Sequence, residues 1–190
     1  CAAARDHTTC KNNGMRAAQA PVTGNIQQLE DIRAESTVAE GWEGSSNDSS
    51  AVNIEGNFSN SGIFNPEKTK FVFNRSSTVQ TISGDLDSSN AFTRLEIDNS
   101  DGVVNNANDT LIISDTLYLT NGILQNDSFV LIRNNGVIVP DTGKPSSYVE
   151  GKLLREIFDT DEKAFPVGTM DEYAPFTVDP DISHNGRIYQ

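Results

Sequence analysis

Apolar residues in this chain come in short runs, and from about Ala51 to Val139 each run is closed by Asn, Gly, Asp or Ser. In Phe71-Val72-Phe73, Leu95-Glu96-Ile97, Leu117-Tyr118-Leu119 and Val130-Leu131-Ile132 the apolar positions alternate or cluster as a buried strand face requires. The pattern predicts strands at Ala51–Asn57, Lys70–Phe73, Thr78–Ile82, Phe92–Ile97, Thr110–Ile113, Thr116–Leu119, Phe129–Ile132 and Val137–Val139, with no helix among them. Gly62, Gly84, Asn99, Gly102, Asn121, Gly122, Asn134, Asn135 and Gly136 lie between these runs and tolerate positive φ, as tight turns demand.

Many short strands allow a sandwich, a barrel or a coil of parallel rungs. A sandwich needs hairpins, and Asn121-Gly122 between Leu119 and Leu124 is the strongest hairpin signal. A solenoid needs a repeat of about 20 residues or more with turn residues recurring at its corners. Phe58, Phe73, Phe92 and Tyr118 fall at intervals near that value. Asn is frequent at strand ends, where side-chain amides can stack between rungs, and this favours the solenoid. The expected fold is therefore all-β, a parallel β-solenoid leading into a β-sandwich-like segment, with an all-β sandwich as the alternative.

The flanks differ from the middle. Residues 1–23 lack periodicity and resemble a linker, while Ile26, Leu29 and Ile32 have the spacing of a short amphipathic helix within Gly24–Ala39. A docked irregular segment fits the same residues. The polar stretch Gly41–Ser50 separates this arm from the strands. Near residue 145 a longer strand, Ser147–Arg155, is followed by the extended pieces Ala164–Gly168 and Tyr173–Val178, where Pro166, Pro175 and Pro180 favour edges or a junction. The expected organisation is an arm over 1–44, a solenoid over 45–145 and the start of a second β segment over 146–190. Arg187–Gln190 reads as the beginning of another strand, so the chain is expected to be a piece of something longer.

Fourteen Lys and Arg stand against 27 Asp and Glu, a formal net charge of -13. Such a polyanion repels phosphate backbones and anionic headgroups, which argues against nucleic acid and membrane surfaces as partners. No apolar run is long enough to span a bilayer. Cys1 and Cys10 are the two cysteines. Their closeness fits a local disulfide outside the cell, two free thiols, or acylation of Cys1 as in a lipoprotein.

Reactive chemistry is sparse. His7 and His184 both sit in polar contexts with no partner set for a catalytic triad or a metal site. Asp85 with Asp87, Asp98 with Asp101, Asp159 with Asp161, and Asp179 with Asp181 are carboxylate pairs of the kind glycoside hydrolysis uses. They lie in turns, however, where Asp is common because it bonds its own backbone. Asp98-Asn99-Ser100-Asp101-Gly102 offers oxygen ligands and a turn glycine, which makes Asp98 and Asp101 candidate Ca2+ ligands and Ca2+ the one cofactor in view. Trp42, Phe64, Phe71 and Tyr118 either fill a core or stack on sugars.

The blocks Gly56–Asn65, Phe71–Asn74, Gln80–Gly84, Phe92–Ser100, Leu117–Leu124, Ser147–Gly151, Phe165–Gly168 and Tyr173–Pro175 resemble, in that order, the repetitive extracellular regions of large surface proteins of Bacteroidetes. The resemblance covers about residues 50 to 178. It implies cargo of the type IX secretion system, an adhesin-like or scaffolding role, and no enzyme. It also implies O-glycosylation at Asp-Thr-Leu triplets, with Thr110 and Thr116 as acceptors. The expected function is a non-catalytic structural or adhesive module at the cell surface or outside it, partnered by neighbouring domains, copies of itself or glycans. A polysaccharide-active enzyme or carbohydrate-binding module, and a subunit of an extracellular filament, are the alternatives.

Overall fold

The structure is a computed structural model that describes residues 36–38, 41–45, 50–86, 89–107 and 110–180, with the backbone alone at 36–38 and 41–45. The disulfide candidates Cys1 and Cys10, and most of the expected helix, lie outside the described residues. Strands are the only long regular elements among those residues. The first coil holds β1 (Ser36–Val38), β2 (Gly41–Ser45) and β3 (Ala51–Ile54), and the second holds β4 (Phe58–Asn60), β5 (Ile63–Glu67) and β6 (Lys70–Phe73). β7 (Gln80–Gly84) and β8 (Phe92–Asp98) belong to the third coil, β9 (Val103–Ala107) and β10 (Thr110–Asn121) to the fourth, and β11 (Leu124–Ile132) and β12 (Val137–Val139) to the fifth. β13 (Val149–Arg155) opens a further, incomplete coil, followed by β14 (Lys163–Phe165), β15 (Val167–Gly168) and β16 (Phe176–Val178).

The chain is a parallel β-solenoid of about five turns with three faces. On the first face β1, β4, β7, β9, β11, β13 and β15 stack in parallel register. The second face begins with β2 on β5 and resumes where Thr110–Ile113 lies on Phe129–Ile132. Lys152–Arg155 continues it. The third stacks β3, β6, β8, the end of β10, and β12. Along the first face Ser36 lies opposite Phe58, Phe58 opposite Ile82, Gln80 opposite Val103, Val103 opposite Leu124 and Leu124 opposite Val149, so one coil takes 21 to 25 residues.

Alternation within each strand sends one set of side chains into the column. Val52, Ile54, Phe58, Phe64, Phe71, Phe73, Ile82, Phe92, Leu95, Ile97, Val103, Leu117, Leu124, Val130 and Ile132 form one continuous core. The aromatics expected to mark the repeat are not equivalent positions, because Phe58 lies opposite Ile82, Phe73 opposite Ile97, and Tyr118 points outward opposite Glu96.

Corners are built from buried amides. Asn60 Oδ1 accepts from the Gly62 N–H while its Nδ2 donates to the Asp85 carbonyl of the next coil. Asn105 does the same locally for Ala107, and its Nδ2 donates to Asn126 Oδ1 at 2.8 Å; Asn126 in turn donates to the Lys152 carbonyl. At the opposite corner, fully buried Gln80 donates to the Ile54 and Gly56 carbonyls and accepts from Asn99, and Ser147 donates to Gly122. Each amide thus closes a turn and ties two coils, which satisfies polar atoms that burial would otherwise strand.

Several boundaries shift. Gly41–Ser45, expected as a polar separator, is a strand in register with Gly41 opposite Ile63, and Ser36–Val38, expected within the helix, is also extended. The column also continues past 145, since β13 stacks on β11. Among the described strands, β14 and β16 are the pair that runs antiparallel, with Phe165 and Phe176 stacked at 4.8 Å. Asn121-Gly122 is a corner and not a hairpin: β10 and β11 on either side of it run parallel. Gly122 has φ +86, and a Cβ there would meet the Asn99 carbonyl oxygen at 1.7 Å, so the corner requires glycine.

Candidate functional site

The third face carries a cluster of outward polar and aromatic side chains. Parallel register places Ala51, Lys70, Arg94, Thr116 and Val137 in one outward column, and Asn53, Val72, Glu96, Tyr118 and Val139 in the column beside it. Adjacent strands are about 4.8 Å apart, so a like position recurs at that interval along the face. Lys70 Nζ lies 2.5 Å from Glu96 Oε2 and 5.1 Å from the Tyr118 ring centroid. Thr120 Oγ1 donates to the other Glu96 oxygen at 2.8 Å. Val72 and Thr116, flanked in register by these longer side chains, are only 8% and 6% exposed.

Arg94 stands apart. Its Nε and Nη2 are shielded from solvent and have no hydrogen-bond partner, although the side chain as a whole is half-buried. Leaving a donor unsatisfied costs about 1–3 kcal/mol, and more when it is charged. The other buried arginine shows the usual solution. Arg155, 5% exposed, donates from Nη1 to the Ala164 carbonyl at 2.7 Å and from Nη2 to the Gly136 carbonyl at 2.9 Å, and lies over Phe165. Burial lowers its pKa, which Asp141 and Asp159 partly restore.

Arg155 belongs to the end of the column. There Asp159 accepts from Asn135 and from Lys163, which together hold its carboxyl below the ordinary carboxylate range. Tyr148 donates to the Thr169 carbonyl and packs on Tyr173, and burial, Glu150 and Asp171 raise its pKa. These contacts fasten the segment that follows β13 to the column.

The residues singled out by sequence do not gather into one centre. Asp98 is half-buried at the end of β8 and Asp101 is exposed in the turn after it, where Asn99 Oδ1 accepts from the Asp101 N–H. The Asn99 amide is turned inward to Thr78 and Gln80. Among the described residues no three His, Cys, Asp or Glu side chains form a metal-binding group. Asp159 caps the Asp161 N–H within its own turn. Asp87, Asp181, His7 and His184 lie outside the described residues. Thr110 is half-buried and Thr116 is buried, so in the folded column the Thr116 hydroxyl is out of reach of a glycosyltransferase. Phe64 and Phe71 are core, whereas Tyr118 is on the outer surface; the Trp42 side chain is outside the described residues.

Sequence reasoning passed over Lys70, Arg94, Glu96 and Thr120. Register is the signal that unites them, because Lys70 and Arg94 are neighbours only once β6 is laid on β8. No described helix is long and apolar enough to cross a membrane. Comparison with family models, with curated proteins and with solved structures finds no match.

Proposed function

We propose that this chain is a non-catalytic structural or adhesive module of a larger secreted or surface protein, of the kind its block order resembles in Bacteroidetes. The observation that carries this reading is the column itself, whose inner groups are consumed by stacking and whose third face offers a flat array of outward side chains. Such a surface suits attachment along a length of partner, because contacts repeat from coil to coil. The carboxylate pairs that hydrolysis would need are spread over separate turns, as Asp98–Asp101 and Asp159–Asp161 illustrate.

The test couples the chain to beads and measures their attachment to glycan-coated surfaces, against beads carrying an unrelated protein of equal net charge. Attachment above that control is expected, with no reducing ends released from the glycans. Release of reducing ends that stops in D98N would overturn the reading in favour of an enzyme, and attachment no better than the control would overturn adhesion.

A further inference from the structure

We propose that the third face binds an acidic glycan, with the Nε–H and Nη2–H edge of Arg94 gripping a carboxylate of the sugar chain. The inference rests on the adhesive reading and names its ligand class. Nε and Nη2 lie on the same edge of the guanidinium and point in parallel, the fork that a carboxylate accepts side-on with two bonds. Those are the two nitrogens that lack partners. The neighbouring cation in the column, Lys70, pairs with Glu96, which also accepts from Thr120, whereas the Arg94 fork has no such partner. Binding on this reading turns the half-buried side chain so that the fork, shielded in the unbound column, meets a carboxylate that satisfies both donors.

Three features favour a glycan over an acidic peptide. Like positions on the face recur every ~4.8 Å along the column, comparable to one pyranose unit. An extended peptide repeats a side chain on one face at about twice 3.4 Å, out of step with the coils. Next to Arg94 in register, the Lys70–Glu96 pair and the Tyr118 ring offer charged groups and a flat face to a sugar, with the Thr120 hydroxyl further along the strand at Glu96. The fork also stands in a chain of net charge -13, so binding depends on this local geometry and not on general attraction.

Affinity electrophoresis of the purified chain in gels containing polygalacturonate, dextran, dextran sulfate or poly-glutamate tests the proposal. Retardation by polygalacturonate and none by dextran is expected. R94Q should weaken polygalacturonate binding roughly 10- to 100-fold, the loss of a charge-assisted pair of bonds. R94K, which keeps the charge and loses the fork, should recover little of it, while K152Q on the second face should bind as the unchanged chain does. Thermal melting of each variant checks that it is folded. Binding unaffected by R94Q, full recovery in R94K, or equal retardation by dextran, dextran sulfate or poly-glutamate would overturn the glycan assignment. Beads that attach to surfaces yet ignore R94Q would sink this inference alone, whereas beads that never attach would remove the adhesive reading beneath it.

Discussion

A buried amide at a coil corner satisfies its own turn and reaches the next coil, and the backbone beside it must come close enough for both. Gly122 shows how close. Its φ of +86 and the 1.7 Å approach of a would-be Cβ to Asn99 combine backbone strain with overlap, whereas Gly102, at φ +91, meets its nearest atom only at 3.0 Å. Left-handed strain costs on the order of 1–3 kcal/mol for a non-glycine residue. G122A should therefore lower the urea midpoint clearly more than G102A, which carries the strain without the severe overlap. Equal losses in the two variants would show that conformation alone matters there. At this scale the sequence was informative: Gly84, Gly102, Gly122, Asn134 and Asn135, expected to tolerate positive φ, do take it. The amide expected at a strand end does link coils at Asn60, which closes β4 and donates to the Asp85 carbonyl of the next coil. Arg94 was opaque, because whether a guanidinium has partners depends on residues that only stacking brings near.

Among the elements, the short strands were the hardest to foresee. Ala51–Ile54, Lys70–Phe73 and Phe92–Asp98 follow the expected runs, but β4, β5 and β9 were not anticipated. Val103-Val104-Asn105-Asn106-Ala107 hides its strand because Asn105 is polar and buried, so the alternation of apolar and polar residues breaks. Pro66 does the same for β5, an edge of its small sheet. The packing of these elements is nonetheless tight. Phe92 on β8 sits 5.4 Å from the Phe58 ring, 5.1 Å from Phe64 and 5.3 Å from Phe71, which joins the second coil to the third. F92A should cost about 3–5 kcal/mol by denaturant titration. Because each coil contacts mainly its neighbours, hydrogen exchange should rise first in β4 to β8 and spare β11 and β13. A uniform loss of protection would show that the column opens as one body.

At the scale of the whole molecule, the segment that follows β13 is held in part by charge. Asp159 has a lowered pKa, chiefly through the bond from Asn135 and then through Lys163, so the stability it contributes is complete above the ordinary carboxylate range near pH 4. That contribution disappears as pH falls through the lowered value. D159N should melt earlier than the unchanged chain at neutral pH and the gap should close in acid; a gap that persists undiminished at about pH 2 would contradict a role for the ionised carboxylate. Domain limits at 45 and 145 were the least legible feature at this scale. Composition changes there, but register does not, and continuity of a column is a property of pairing that no single stretch of residues announces.

The third coil bears on how the column would carry a load. Among the described residues its second face carries no strand, and Phe64 N–H is held there by the Asn90 side chain while the Leu86 carbonyl accepts from the Ile112 N–H on the other side. Among the described residues, tension crossing that level passes through two backbone ladders and isolated bonds such as Asn90–Phe64 and Ile112–Leu86, where β2 on β5 and β10 on β11 give other coils a third ladder. An anchored protein built this way has its fuse between the second and third coils, ahead of the outward arginine that would hold the catch.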